Sequence, residues 1–332
     1  MARHLAANGI TLLIVALVLV FGLVNWGQSL FERPGPLQQA TVFEVPGGDT
    51  FRRAADRLEA NGVISDASIF RIGMRYAGLN DVLKAGEYEI PAGATMRDVY
   101  DIITSGVGIQ LRVTIPEGFT SFEVVERLRA TEDLVGEIAE VPPEGTLAPN
   151  TYSFSRGATR ESVLAQMISA QEEILANAWE NRAEGLPIDS PEDLLILASI
   201  IEREAGGAEE WAKVASVFVN RLNQGMRLEA DATVRYGITL GERKLRRGLL
   251  RSELDRVTPY NTYKIDGLPP TPIANPGRLA IEATAQPETT DFIFFVADGT
   301  GGHAFSVTYE EHNRNVREWR RIEAERRAAQ QD

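Results

Sequence analysis

A long apolar run in the middle of the chain is the feature that most limits how this sequence can fold. The run is LLILASII, at residues 194–201, and two acids follow it within three residues. Ser190 and Pro191 precede it, as at many helix starts, because a hydroxyl caps free amides and proline fits the first turn. Gly206 and Gly207 are expected to end the helix. A helix that is apolar on every side must be buried, so this segment is predicted to lie inside a folded domain.

The end of this helix carries the first candidate for catalysis. At helical spacing, Glu202 shares a face with Leu195, Ala198 and Ser199. A carboxylic acid in apolar surroundings has its charged form disfavoured, so the pKa of Glu202 is expected to rise. The residues alone leave two interpretations of Glu202 open. It is either a proton donor or the ion-pair partner of a neighbouring arginine at the point where the buried helix reaches the surface. Glu204 lies about 200° further round the helix, so the two acids are not expected to face one bond together.

Composition and motifs exclude several classes of function. The chain has 332 residues and a net charge of −13, which argues against nucleic acid as its main partner. Cysteine is absent, so disulfides and thiolate metal sites are impossible. Only three histidines occur, without an HExxH motif, a calcium-binding loop or a glycine-rich phosphate loop. No metal or cofactor is therefore expected, and carboxylate chemistry remains.

The N-terminal segment predicts a membrane anchor. Gly9–Val24 carries no charge, and Trp26 follows where the membrane interface would lie. A cleaved signal peptide is the alternative, but no small-x-small cleavage site follows the apolar run. Arg3 precedes the span without a nearby acid, so the N-terminus is predicted to stay in the cytoplasm. Residues 1–39 are interpreted as a cytoplasmic tip, an anchor at about residues 9–26, and a linker.

Beyond the anchor, the pattern predicts an α+β fold in two parts. Residues 40–108 twice show a strand, a glycine turn and an amphipathic helix, which indicates a small α+β module. Residues 109–325 mix strands, helices and loops, and residues 326–332 form a charged tail. The basic runs Lys244–Arg251 and Arg314–Arg327 are interpreted as solvated helix faces.

The stretch from Met226 onward is predicted to be rich in loops, which contain Pro, Asn, Tyr and Gly. Such loops expose amides and aromatic faces, and sugar-binding grooves use both. For each loop alone, ordinary turn chemistry is the simpler interpretation. The loops in question are residues 231–237, 258–263, 267–277 and 299–306.

Several short motifs, in order, resemble the endolytic murein transglycosylase family, also called YceG-like. The resemblance runs from about residue 40 to 318 and rests on LASIIERE (197–204), EADATVRYG (229–237), TPYNTY (258–263), GLPPTPIANPG (267–277) and FFVADGTGGHAFS (294–306). This sequence departs from the usual pattern of the family at Ala205, Glu229, Ala232 and Thr271.

The resemblance implies a single-pass inner-membrane protein whose body lies in the periplasm, with a LysM-like module at residues 40–108 and a catalytic domain at 109–325. It implies non-hydrolytic cleavage of the bond between N-acetylmuramic acid and N-acetylglucosamine in nascent peptidoglycan strands. The cut would leave a 1,6-anhydro end and limit strand length. Implied partners are glycan strands, peptidoglycan synthases, and elongation or division proteins. A non-catalytic peptidoglycan-binding scaffold and a true hydrolase are the alternatives.

The same resemblance implies the site. By motif position, the essential catalytic glutamate of the family falls on Glu202. That acid would protonate the leaving oxygen and then, as a carboxylate, accept the proton of the muramic acid 6-hydroxyl. Residues expected to bind the sugar are Asp231, Thr233, Tyr236, Asn261, Tyr263, Asn275 and His303.

Overall fold

The computed structural model describes residues 2–76 and 83–329 and has a mixed α+β architecture, as predicted. The chain divides into two compact units. The first unit comprises residues 1–111 with 153–156, and the second comprises 112–152 with 157–332.

In its described residues, the first unit contains one antiparallel strand pair and four helices. Strand β1 pairs with β2 so that Phe43 lies opposite Tyr88, and both side chains are buried. Thr50 caps α2 through its side chain and Thr95 forms a capping box at α4, which explains why these helices begin at these residues. The elements are α1 (Ala2–Phe31), β1 (Thr41–Val45), α2 (Phe51–Ala60), α3 (Ala67–Tyr76), β2 (Gly86–Ile90) and α4 (Met96–Ser105).

Helix α1 carries the predicted anchor. Among the described residues it is the one helix long and apolar enough to cross a membrane, over Leu13–Phe31, with a mean hydropathy of 2.0. Its most apolar 18 residues have no part buried inside the protein, and only Phe31 at its end is buried. Its last residue, Phe31, stacks on Phe70 of α3 with ring centroids 6.4 Å apart. The sequence also predicts a helix over residues 65–78, and the end of that prediction, at Gly78, lies outside the described residues.

The rest of the chain is mainly helical, with two short strand pairs, β3 with β4 and β5 with β6. The elements are β3 (Leu111–Thr114), α5 (Ser121–Arg129), β4 (Thr151–Phe154), α6 (Arg160–Glu180), α7 (Pro191–Glu204), α8 (Trp211–Asn223), α9 (Asp231–Thr239), α10 (Arg251–Leu254), α11 (Arg278–Ala285), β5 (Phe294–Ala297), β6 (His303–Ser306) and α12 (Tyr309–Ala329).

Helix α7 is the centre of the second unit, as its apolar sequence requires. Every residue from 194 to 201 is buried, and α7 packs against α6, α8 and α11. The hydroxyl of Ser190 accepts a hydrogen bond from the amide of Asp193 at 3.1 Å, so the predicted cap is confirmed. The C-terminal end of α7 differs from the prediction that Gly206 and Gly207 end the helix. Ala205 takes an extended conformation and ends the helix before the two glycines.

Two segments differ from the sequence prediction. Residues 231–237, predicted as a loop, belong to helix α9, which buries Thr233 and Val234. Threonine, valine and tyrosine have modest helix propensity, so packing rather than local preference holds this short helix. The basic run at 244–251 is not a helix face, because only its last residue, Arg251, enters α10. The run at 314–327 does lie on α12.

Candidate active site

An open cleft of about 460 Å³ lies beside the C-terminal end of α7. Glu204 lines it from α7, Asp231 and Tyr236 line it from α9, and Thr120 lines it just before α5. All of these residues belong to the second unit. Two of the predicted sugar-binding residues therefore share one cleft with an acid of the IERE motif.

Glu204 is held in a desolvated position in this cleft. Its Oε1 atom accepts a hydrogen bond from the amide of Ala232 at 3.1 Å. Burial raises the pKa of Glu204 to about 7, and the charge of Asp231 adds to the rise. The hydrogen bond from Ala232 and the charges of His303 and Arg203 act in the opposite direction. A carboxylic acid with this pKa can hold a proton near neutral pH and release it to a substrate.

Asp231 and Tyr263 form a second polar group beside Glu204. The hydroxyl of Tyr263 donates to Oδ1 of Asp231 at 2.9 Å. Burial raises the pKa of Tyr263, and the charges of Asp231 and Glu204 raise it further. The phenol therefore stays protonated and keeps donating to the carboxylate of Asp231.

His303 lies on β6 and is oriented by Glu210. Its backbone amide donates to Oε1 of Glu210 at 2.8 Å, and its Nδ1 is 2.7 Å from Oε2 of the same carboxylate. The strand carrying His303 comes close to α7 at Gly206, where a Cβ atom would lie only 2.4 Å from the carbonyl oxygen of Gly301. The glycine predicted as a helix stop thus permits this close backbone approach.

Glu202 occupies a different environment on α7. Its Oε2 atom accepts a hydrogen bond from the amide of Gly277 at 3.1 Å. Burial raises the pKa of Glu202 to about 7, as expected, and the nearby charge of Glu117 adds to the rise. Glu202 does not line the cleft that contains Glu204. The opposite placement of the two acids follows from their helical spacing.

Three predicted sugar-binding side chains lie in the interior. Thr233, Asn261 and Asn275 have no exposed surface. The hydroxyl of Thr233 donates to the carbonyl of Ala230, and Asn261 donates to three carbonyls, including that of Leu254. Asn275 joins separate loops by accepting from one backbone amide and donating to a carbonyl. We assign these three residues to holding the loops in place rather than to contact with a sugar.

Two further acids lie in this region of the structure: Glu204, for which the sequence suggested no catalytic role, and Glu144. The desolvation of Glu204 could have been predicted, because Ile201 and Ile200, three and four residues earlier in the apolar run, put it on a buried face. The sequence around Glu144 does not indicate that this acid is buried. Burial raises its pKa to about 7 while its carboxylate accepts from the amide of Ser121 at 2.7 Å and from the hydroxyl of Tyr236.

No group of three or more His, Cys, Asp or Glu side chains placed to hold a metal ion occurs within residues 2–76 and 83–329. The arrangement of protonated acid, neighbouring carboxylate and oriented imidazole is suited to proton transfer to and from a bound ligand.

The raised pKa values of three desolvated acids lead to a prediction of how the free energy of unfolding depends on pH. Glu144, Glu202 and Glu204 each have a pKa near 7, against an ordinary value of 4.5. The native chain therefore holds more protons than the unfolded chain between these pH values, and the free energy of unfolding should fall as pH rises through that window. Melting temperatures between pH 5 and pH 8 measure this, and Glu204→Gln should flatten the trend. A melting temperature that increases with pH would contradict the assignment.

Comparison with known proteins gives a consistent set of relatives. The YceG-like family matches residues 43–318. The endolytic murein transglycosylase of Bacillus subtilis (strain 168) is 30% identical, and the alignment covers 90% of both chains. Proteins of the same name from Streptococcus pneumoniae are 27% identical over 82% of this chain, which spans 57% of their length. A crystal structure of a yceG-like protein from Listeria monocytogenes is 30% identical, with a TM-score of 0.52 over 83% of this chain and 99% of that one.

Proposed function

Since this chain belongs to the YceG-like family, we infer that it is a lytic transglycosylase acting on peptidoglycan. We propose that it cuts within nascent glycan strands, between N-acetylmuramic acid and N-acetylglucosamine. The observation that supports this most directly is an acid with a pKa near 7 in an open cleft, beside a carboxylate and an oriented histidine.

The proposed reaction needs one principal acid. The carboxylic acid protonates the glycosidic oxygen as the bond from that oxygen to the muramic acid C1 breaks. The muramic acid 6-hydroxyl oxygen then bonds to C1, and its proton passes to the carboxylate, which regenerates the acid. No water is consumed, and the product is a 1,6-anhydro end. Attack from within the same sugar has a high effective molarity, so no enzyme nucleophile is needed.

Two acids are candidates for this role. We propose Glu204, because it lines the cleft together with Asp231 and lies near His303. Glu202, which the family resemblance favours, is the second candidate, since its pKa is also raised to about 7. The carboxylate of Asp231, fixed by Tyr263, would stabilise positive charge that develops on the ring near C1.

We further propose that α1 anchors the chain once in the membrane, with the N-terminus in the cytoplasm and the residues that follow α1 on the other side. The exposed apolar surface of Leu13–Phe31 and the charge of Arg3 before the span support this orientation. The LysM-like character of residues 40–108 rests on the family resemblance. Cutting near the membrane would limit the length of new strands, with peptidoglycan synthases and elongation or division proteins as partners.

Digestion of purified glycan strands tests the proposed reaction. The full chain, in detergent, is expected to yield fragments with 1,6-anhydro ends, which mass spectrometry distinguishes from reducing ends because the anhydro product lacks the mass of one water. Reducing ends would instead indicate a hydrolase. Strand retention without any cleavage would indicate a binding scaffold.

A further inference from the structure

The lining of the cleft contains several positively charged side chains. Four cationic side chains line the cleft together with Glu204, although the chain as a whole has a net charge of −13. We call these four residues the basic wall: Arg203, Arg235, Arg243 and Lys244. Their convergence was not expected from the sequence, which placed the run at 244–251 on a solvated helix face.

The basic wall is held in place by defined contacts. Arg235, on α9, donates to the carbonyl oxygens of Leu245 at 3.4 Å and Arg247 at 3.0 Å. Arg247 in turn makes two hydrogen bonds, at 2.9 and 2.6 Å, to the carboxylate of Glu253. These bonds hold the backbone of the loop that carries Arg243 and Lys244 against α9.

Within the described residues, three members of the basic wall have no carboxylate within ion-pair distance: Arg203, Arg235 and Arg243. Lys244 is 3.3 Å from a carboxylate oxygen of Glu123, which offsets part of its charge. Arg203 donates to the carbonyl oxygen of Gly118. Exposed guanidinium groups of this kind bind carboxylates through paired hydrogen bonds.

The wall begins at the proposed acid, because Arg203 directly precedes Glu204 in α7. A strand whose scissile bond lies at Glu204 would bring the muramic acid, and the acidic peptide that it carries on its lactyl group, into the cleft that Arg203 and Arg243 also line. Negative charge on a strand comes from the lactyl group, which is a single carboxylate when the peptide is absent, and from the peptide, which brings additional carboxylates. The peptide is therefore the main complement to these cations.

We propose that the basic wall binds carboxylates of the peptides attached to muramic acid and so favours peptide-bearing strands over bare strands. The inference rests on the proposed function, because it assumes a glycan strand in this cleft. It adds a determinant of specificity that is separate from the proton donor.

Binding measurements test this separately from catalysis. These measurements use the full chain with two substitutions, Glu202→Gln and Glu204→Gln. Because both candidate proton donors are replaced, the glycan fragments are not cut during the measurement. The affinity of this chain is measured for uncrosslinked glycan fragments with their peptides and for the same fragments after the peptides have been removed. Arg243→Gln is expected to lower the ratio of the two affinities roughly threefold to fivefold, the scale of one exposed ion pair. Added salt should lower the ratio as well.

Arg246→Gln is the matched control, since Arg246 lies in the same loop, is exposed and does not line the cleft. It makes the same change in net charge and should leave the affinity ratio unchanged. The proposal would be overturned if the protein with Arg243 intact bound fragments with and without peptides equally well. An equal change of the ratio with Arg246→Gln would also overturn it, because general attraction by net charge would then suffice. A chain that binds peptide-bearing strands selectively but never cuts them would contradict the proposed function alone.

Discussion

Replacing Glu204 by glutamine is expected to lower the rate of anhydro-end formation by about 10²–10⁴-fold, the usual contribution of a general acid. Glutamine keeps the size of the side chain but cannot supply a proton to the leaving oxygen. The carboxylate is desolvated and faces the cleft, so its loss should affect the reaction rather than the fold. The measurement is the initial rate of anhydro-end formation from glycan strands, followed by mass spectrometry.

Glu202→Gln is the matched comparison, because it makes the same chemical change on the same helix, two residues earlier. Its carboxylate accepts from the amide of Gly277 outside the cleft, so the expected loss of rate is less than tenfold. Both variants should melt close to the unsubstituted protein. If Glu202→Gln abolishes cleavage and Glu204→Gln does not, the proton donor is Glu202. A large drop in melting temperature for either variant would indicate a structural acid.

Replacing Leu197 by alanine is expected to lower the free energy of unfolding of the second unit by about 2–5 kcal/mol. Leu197 has no exposed surface and lies in the middle of α7, where that helix packs against its neighbours. Removing its side chain loses buried apolar contact and leaves a cavity that the surrounding helices cannot fully close. Denaturant unfolding, followed by tryptophan fluorescence, to which Trp211 at the start of α8 contributes, measures the change.

Leu279→Ala is the control for that experiment. It makes the same substitution on α11, which packs against α7, but the Leu279 side chain is 52% exposed. Its expected effect is within about 0.5 kcal/mol, as for most surface substitutions. Similar losses for the two variants would mean that α7 is not the centre of a tightly packed core.

Much of the fold could be predicted because the signals were local. The cap at Ser190, the apolar run of α7 and the capped start of α2 at Thr50 depend on residues a few positions apart. Helix α9 was missed because its residues have modest helix propensity and its stability comes from burying Thr233 and Val234. Local preference does not contain that information.

The candidate site was predicted in part. The sequence pointed to the IERE motif and to Asp231, Tyr236, Tyr263 and His303, and the structure puts these residues around Glu204. Asparagines in turn-rich loops look alike in sequence whether they face a ligand or bind backbone groups inside the protein. Only the surrounding chain decides between these environments.

The sequence by itself determined that α7 is buried, that an acid at its end would be desolvated, and that an apolar N-terminal helix exists, because apolar side chains leave water wherever they occur. The tertiary structure alone decided which of two acids faces a cleft and which cations from distant segments line it. Those outcomes depend on contacts between residues far apart in the chain, such as Ala232 with Glu204 and Arg235 with the loop at 243–247.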